Sequence, residues 1–241
     1  MGSALTITEA SMINGMKHLD IISHNLANAD TAGFKRDVAV MRPFGSYLLE
    51  AGNAGLHSEK AGISSVTDFN IGVPRHTGNP LDLTIEGDGY FAVESPQGTL
   101  YTRQGSFGLD GAGHLVTAAG YRVVGDVGDL RLTSDQPRID KEGAIWEAGE
   151  LVGRLKIARF TDSRSLEKLG SGYYRAGAAV ALPETARMPG LRQGFIETSN
   201  VSAMKEMVDL ISTMRQLEGG QKVIQGYSEM LDLAIQTIAE V

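Results

Sequence analysis

Apolar residues recur every seven positions at both ends of the chain, and every second position through its middle. Over residues 3–29, Leu5, Met12, Leu19 and Leu26 stand seven apart, with Ile13, Met16 and Ile22 at neighbouring positions. Thr6 and Glu9 have capping-box spacing, no proline occurs before Pro43, and Gly33 is available to turn the chain. This pattern predicts an amphipathic helix ending near Asn28. Over 203–240, Leu210, Leu217, Ile224, Leu231 and Ile238 again recur at sevens, with Met207, Met214 and Ile235 at the alternate seam positions and Gln221 and Ser228 interrupting. A heptad sustained this long predicts a coiled-coil-like helix, capped by Ser202 and able to bend at Gly219-Gly220. A second apolar row (Met204, Val208, Ile211, Val223, Tyr227, Met230) makes the stripe wider than one partner helix would cover.

Period-two runs mark residues 81–197: Leu81–Glu86, Tyr90–Val93, Leu100–Arg103, Leu115–Thr117, Tyr121–Val124, Leu130–Thr133 and Leu155–Phe160. Turn signals lie between them at Gly87-Asp88-Gly89, Pro96-Gln97-Gly98, Asp110-Gly111-Ala112-Gly113 and Ala119-Gly120. Short strands punctuated in this way predict an antiparallel β domain. Residues 35–80 show no clear period and read as an extended linker or small hairpins. The expected fold is α+β: two terminal helices paired with each other and a β domain inserted between them. The expected segments are 1–34 (first helix), 35–80 (linker or hairpins), 81–199 (β domain) and 200–241 (last helix).

Composition sharpens this division. Glycine accounts for 30 of 241 residues, above the usual ~7%; ten of them fall in residues 81–130 and three before residue 34. The absence of cysteine rules out disulfides, thiolate metal sites and cysteine nucleophiles. A net charge of −7 argues against a nucleic-acid binder. No apolar run is long enough to span a bilayer, and the N-terminus does not read as a secretory signal peptide. Both terminal helices are net acidic, one Lys against three Asp/Glu in 1–34 and three Lys/Arg against six Asp/Glu in 200–241. That disfavours a membrane surface and favours partner helices.

Candidate chemistry is sparse. Gly87-Asp88-Gly89-Tyr90-Phe91-Ala92 fits a dinucleotide fingerprint, but that site needs a helix to begin there, and Tyr90–Val93 reads as strand; a glycine hairpin is the preferred reading. Two SxxK matches, Ser165–Lys168 and Ser202–Lys205, lack the companion motifs of penicillin-binding enzymes. The five histidines form no chelating pair on a helix face. No catalytic, cofactor-binding or metal residues are assigned, and no cofactor or small-molecule substrate is expected. The wide apolar stripes remain, and leaving them bare on an ordered monomer is implausible, so self-assembly is expected.

Specific residues carry a resemblance. Leu19-Asp20-Ile21-Ile22-Ser23-His24-Asn25-Leu26-Ala27-Asn28-Ala29-Asp30-Thr31-Ala32-Gly33-Phe34-Lys35-Arg36 resembles the N-terminal signature of bacterial flagellar rod and hook proteins. Leu81–Val93, Tyr101–Phe107 and Gly113–Gly120 resemble that family's β domain. Gly194–Val201 and Glu206-Met207-Val208 resemble its C-terminal signature, although Ala203 stands where a proline is common. The resemblance implies an axial structural protein, not an enzyme, that forms a helical tube with its terminal helices inside. It implies a rod in the flagellar basal body, crossing the periplasmic space and exported by the flagellum's own type III apparatus without a cleaved signal peptide. The implied partners are other copies of the chain, other rod proteins and the export apparatus, without membrane insertion. Compact length and a single β domain resemble the rod proteins rather than the larger hook protein, and the absence of a long insertion favours a proximal rod protein over a distal rod or hook-type one. The competing class is a monomeric periplasmic binding or wall-cleaving β-domain protein.

The expected subunit-interface and assembly residues are Leu5, Met12, Leu19, Leu26, Met207, Leu210, Met214, Leu217, Ile224, Leu231 and Ile238 on the helical faces. By resemblance they also include Asn25, Asn28, Thr31, Gly33, Phe34 and Lys35 at the exit of the first helix. Ser199 and Asn200 are expected to organise the entry to the last one.

Overall fold

The computed structural model describes residues 2–41, 63–126, 128–177 and 189–239, with side chains described for all of these except 2–7, 41 and 231–239. Leu5, Leu231 and Ile238 therefore have side chains outside the described residues, as does the 42–62 part of the expected linker. The chain divides into two compact units. One comprises 1–27, 37–68 and 202–241, and the other 28–36 and 69–201.

Heptad-spaced aliphatic residues without proline give the helical unit two long helices, α1 (Gly2–Ala27) and α2 (Ala203–Ala239). The helices touch along antiparallel lines. Gly220 of α2 lies beside Met12, and Gly15 of α1 lies against the Leu217 side chain. His18 Nδ1 is 3.4 Å from Thr213 Oγ1, and Asn25 Nδ2 donates to Glu206 Oε2 at 3.4 Å. The inward row of α2 is thus Glu206, Leu210, Thr213, Leu217, Gly220, Ile224 and Tyr227, all buried or half-buried, at alternating spacings of four and three.

This corrects two of the three expected alternate seam positions, Met207 and Met214; the Ile235 side chain lies outside the described residues. Met207 and Met214 are 51% and 48% exposed, one residue round the helix from Glu206 and Thr213. Apolarity alone favours the methionines, but the polar side chains have partners inside: Glu206 takes the Asn25 amide, and Thr213 Oγ1 donates to the Asp209 carbonyl at 2.8 Å. Gly220 contributes space, and α2 continues through Gly219-Gly220 as one helix. The same unit holds an antiparallel pair of strands, β1 (Asp37–Met41) and β2 (Ile63–Thr67), in register from Asp37↔Thr67 to Met41↔Ile63.

The β unit continues with β3 (Pro74–His76), β4 (Leu83–Glu86), β5 (Tyr90–Ser95), β6 (Gly98–Thr102), β7 (Phe107–Leu109), β8 (Leu115–Thr117) and β9 (Arg122–Gly125). Then come β10 (Gly128–Asp129), β11 (Arg138–Ile139), β12 (Ala144–Glu147), β13 (Glu150–Arg154), β14 (Ile157–Ala158), β15 (Glu167–Gly170), β16 (Tyr173–Arg175), β17 (Gly190–Gln193) and β18 (Phe195–Glu197). Among the described residues the largest sheet runs β15-β16-β6-β5-β9-β8-β7, with β10 on β9 and β14 on β5. A three-stranded sheet, β11-β12-β13, and the pairs β17-β4 and β18-β3 complete the unit.

Residues on β5 point to two cores. Phe91 and Val93 join Leu83, Ile85, Leu115 and Leu155 in the main core, while Tyr90, on the other face, packs with Phe160, Leu166 and Tyr174. Burial on both faces explains why β4 does not show the half-exposed alternation expected of it: Leu83, Thr84 and Ile85 are all buried. Gly105 is obligatory beside it, because a Cβ there would lie 1.6 Å from the Leu83 carbonyl oxygen.

Turn chemistry accounts for much of the rest. Asp110 and Asp140 head the same loop. Each carboxylate Oδ1 accepts two backbone N–H groups, from Ala112 and His114 in one case and from Glu142 and Ala144 in the other. The glycine three residues on, Gly113 or Gly143, has φ near +85° or +82°, the left-handed region glycine enters without steric cost.

Two expectations need correction. Gly87-Asp88-Gly89 does not close a hairpin, since β4 pairs with β17 and β5 with β6 and β9. Leu130–Thr133 is not a strand either. Its apolar side chains are buried, but its backbone makes only an isolated antiparallel bridge, Arg131 opposite His114, with Leu132 N–H donating to the Gly113 carbonyl at 2.7 Å and the Leu130 carbonyl accepting the Leu115 N–H at 3.1 Å.

Candidate assembly site

The expected exit-turn residues fall at two places. Asn25 lies in the helical unit and is 1% exposed. Its Oδ1 accepts the Asp37 N–H, and its Nδ2 donates to the Asp37 carbonyl, both at 2.8 Å. One amide side chain thereby satisfies both backbone groups of the first residue of β1, as a neighbouring strand would.

Asn28–Arg36 belongs to the β unit. Thr31 N–H donates to the Asn28 carbonyl at 3.2 Å, and Phe34 N–H donates to the Thr31 carbonyl at 3.3 Å, so the corner is a run of tight turns. Gly33 has φ +67°, and a Cβ on it would stand 2.5 Å from the Arg103 carbonyl; its N–H donates to the Glu197 carbonyl at 2.8 Å. Phe34 is fully buried, with the Lys168 ammonium 4.6 Å from its ring centroid.

Lys35 is also fully buried. Its ammonium pairs with Glu197 Oε1 and donates to the Asn70 carbonyl at 2.8 Å. The other Glu197 oxygen meets Arg103 Nη1 at 3.3 Å, and Gly72 N–H donates to Oε1 at 2.9 Å. Arg103 Nη2 donates to the Gly87 carbonyl at 2.7 Å, and its guanidinium lies 5.3 Å from the Tyr90 ring centroid. Burial pushes the Tyr90 phenol above its ordinary range. Two buried cations thus share one carboxylate, and the carbonyls of Asn70 and Gly87 supply further acceptors. Such a pair has a large desolvation penalty, compensated only while every partner is present. With both carboxylate oxygens occupied by donors, the cluster is a clasp and not a reactive centre.

Asn200 closes the same corner. Its Oδ1 accepts the Arg36 N–H at 2.7 Å and its Nδ2 donates to the Asn70 carbonyl at 3.1 Å. Ser199 Oγ accepts the Val201 N–H at 3.2 Å, a local turn before α2. Sequence reading missed Arg103 and Glu197 as site residues. Both lie inside stretches that carry the resemblance, and a charged residue within an apolar strand pattern was the available signal.

The motifs weighed for catalysis have other employment. Tyr90 opens a strand directly after Gly87-Asp88-Gly89, so the helix a dinucleotide fingerprint requires is not there. Lys168 Nζ donates to the Lys35 carbonyl at 3.1 Å, and Ser165 ends a short 3-10 turn capped by Asp162. Ser202 precedes α2, its carbonyl accepting the Glu206 N–H at 3.0 Å. Among the described residues no His, Asp and Glu side chains gather as a metal-ligand set, and no helix is long and apolar enough to cross a membrane.

The helical faces place the remaining expected residues. Met12, Leu19 and Leu26 of α1 and Leu210, Leu217 and Ile224 of α2 are half-buried. The opposite side of α2 presents Met204, Met207, Val208, Ile211, Val223 and Met230, each more than half exposed. Ile13 and Met16 of α1 are exposed as well. The α2 side chains leave an apolar strip along the exposed side of that helix.

Comparison with known proteins agrees with the order of these elements. Residues 12–35 match the family model "Flagella basal body rod protein", residues 84–147 match "Flagellar hook protein FlgE/F/G D1 domain", and residues 192–237 match "Flagellar basal body rod FlgEFG protein C-terminal". The chain is 32% identical to the flagellar basal-body rod protein FlgG of Bacillus subtilis, over 92% of this chain and 95% of that one. The chain belongs to the flagellar basal-body rod protein family. Other similar members are FlgG of Buchnera aphidicola from Acyrthosiphon pisum, 33% identical over 95% of this chain and 96% of that one, and FlgF of Caulobacter vibrioides, 30% identical over the full length of both. The chain is accordingly a structural rod subunit of the flagellar basal body, in a family of structural proteins and not of enzymes. The clasp around Glu197 and the Asn25 bracket both include residues of the matched 12–35 segment.

Proposed function

We propose that the chain assembles with copies of itself and with other axial proteins into the torque-transmitting rod. In this reading α1 and α2 pair as a coiled-coil-like module, and the outward faces of both helices are covered by neighbouring subunits. The exposed apolar stripe of α2, with Met204 79% and Val208 62% exposed, is the observation that supports it most. Heterologous contacts that do not close into a ring generate a filament, and a drive shaft needs many such contacts. The expected interface and assembly residues act at two levels. Met12, Leu19, Leu26, Leu210, Leu217 and Ile224 build the helical module, while Met207 and Met214 lie on the face that meets a neighbour. Asn25, Asn28, Thr31, Gly33, Phe34, Lys35, Ser199 and Asn200 form the corners that hold each unit rigid.

The segments 1–34, 35–80, 81–199 and 200–241 then serve as inner helix, connecting region, outer β domain and inner helix. The absence of a long insertion supports a proximal place in the rod. Export through the flagellar type III apparatus delivers the chain to a rod that crosses the periplasmic space. Mass spectrometry of the rod fraction of purified basal bodies tests this reading. The chain is expected there in stoichiometric amount, and its absence from that fraction would contradict the assembly.

A further inference from the structure

The sulfur of this protein is distributed unevenly. Cysteine is absent and there are nine methionines. Six of these (Met12, Met16, Met204, Met207, Met214 and Met230) lie on α1 and α2, and none lies among the described residues of the β unit. The β cores are filled with leucine, isoleucine, valine and aromatic side chains instead. On α2 the inward heptad places go to Leu210, Leu217 and Ile224, while methionine takes the outward flank. Met204, Met207 and Met214 follow one stripe, separated by three and seven residues and interleaved with Ile211, and are 79%, 51% and 48% exposed. Methionine is ordinarily among the most buried residue types.

We propose that this stripe is an oxidation site: a peroxide converts Met204, Met207 and Met214 to sulfoxides in the free subunit, and the oxidised face can no longer pack against a neighbouring subunit. The second half of this proposal rests on the assembly reading above. In the chemistry, the thioether sulfur attacks one oxygen of hydrogen peroxide, the S–O bond forms as the O–O bond breaks, and the departing hydroxide takes the proton of the sulfur-bound oxygen and leaves as water. Sulfur is oxidised by two electrons and the peroxide is reduced by two. No thiol in the chain competes for the oxidant, so the exposed thioethers are its most reactive sulfur groups, and susceptibility follows exposure. The product is a polar group where a flexible apolar one had filled an interface. Burying its oxygen without a donor costs enough to weaken association by about tenfold or more.

The test treats the purified full-length chain with hydrogen peroxide, maps added oxygen by peptide mass spectrometry and measures self-association by analytical ultracentrifugation. Met204, Met207 and Met214 should gain oxygen well before Met12, which is half-buried beside Gly220, and association should fall about tenfold or more. Met230, 64% exposed on the same side of α2, is replaced as well: the Met204→Leu, Met207→Leu, Met214→Leu, Met230→Leu variant keeps the apolar face and should retain association after the same treatment. Uniform oxidation of all methionines, or equal loss of association by wild type and this variant, would overturn the proposal. Failure of the untreated wild type to associate would contradict the assembly reading instead, and the oxidation map would still decide which sulfurs react.

Discussion

Gly15 of α1 lies directly against Leu217 of α2: a Cβ built on Gly15 would stand 2.6 Å from Leu217 Cδ2. A missing side chain on one helix is filled by a branched one on the other. Gly15→Val should therefore overpack the contact and destabilise the helical unit by about 1–3 kcal/mol. Adding Leu217→Ala should recover part of that loss, although Leu217→Ala alone is destabilising. Circular dichroism through a denaturant titration of the two single variants and the double variant checks this. Simple additivity of the two losses would mean that the residues are not coupled.

Glu197 supplies the one carboxylate shared by Lys35 and Arg103. Glu197→Ala strands two buried cations and should cost about 3–5 kcal/mol, the range for breaking a buried ion pair from one side. Glu197→Gln keeps one acceptor oxygen and should fall between it and wild type. Chemical denaturation followed by Trp146 fluorescence gives the ranking. An Ala variant as stable as wild type would remove the clasp from the account.

The Asp110 loop makes a prediction about pH. The carboxyl is held at about 2 against an ordinary 3.8, chiefly by the backbone N–H of His114, then by that residue's side chain. A folded-state value below the unfolded one stabilises the loop above about pH 4 and loses that contribution as pH falls toward 2. The β7–β8 hairpin should therefore persist at pH 3 and loosen nearer pH 2, and Asp110→Asn should remove this part of the acid response. Amide exchange at Ala112 and His114, which both donate to Asp110 Oδ1, reports it. Loosening that begins above pH 4 in wild type would contradict the assignment.

The physical causes of what was and was not legible differ by element. The helices were readable because Leu210, Leu217 and Ile224 impose a period that survives into the folded unit. The second seam position was not, because Glu206, Thr213 and Gly220 reach it through a hydrogen bond or a vacancy, and neither registers as apolarity. Turns with their own signal, such as Pro96-Gln97 and Asp110–Gly113, were readable, whereas β16, β17 and β18 are short strands paired with β6, β4 and β3, far away in the sequence. Lys35 was expected on resemblance, but its partner Glu197 lies 162 residues away, and no local pattern connects them. Leu130–Thr133 has the apolar pattern of a strand but only a single backbone bridge, Arg131 to His114, so burial and hydrogen bonding were separately specified there.

The claim that the outward face of α2 lies between subunits in the rod can be tested with one cysteine. The chain has none of its own, so Ile211→Cys places a unique thiol at a position 52% exposed. Maleimide labelling should be fast on the free subunit and strongly slowed in purified basal bodies built from the same variant. Equal labelling rates in the free chain and in the assembled rod would show that this face stays in solvent and would contradict the account.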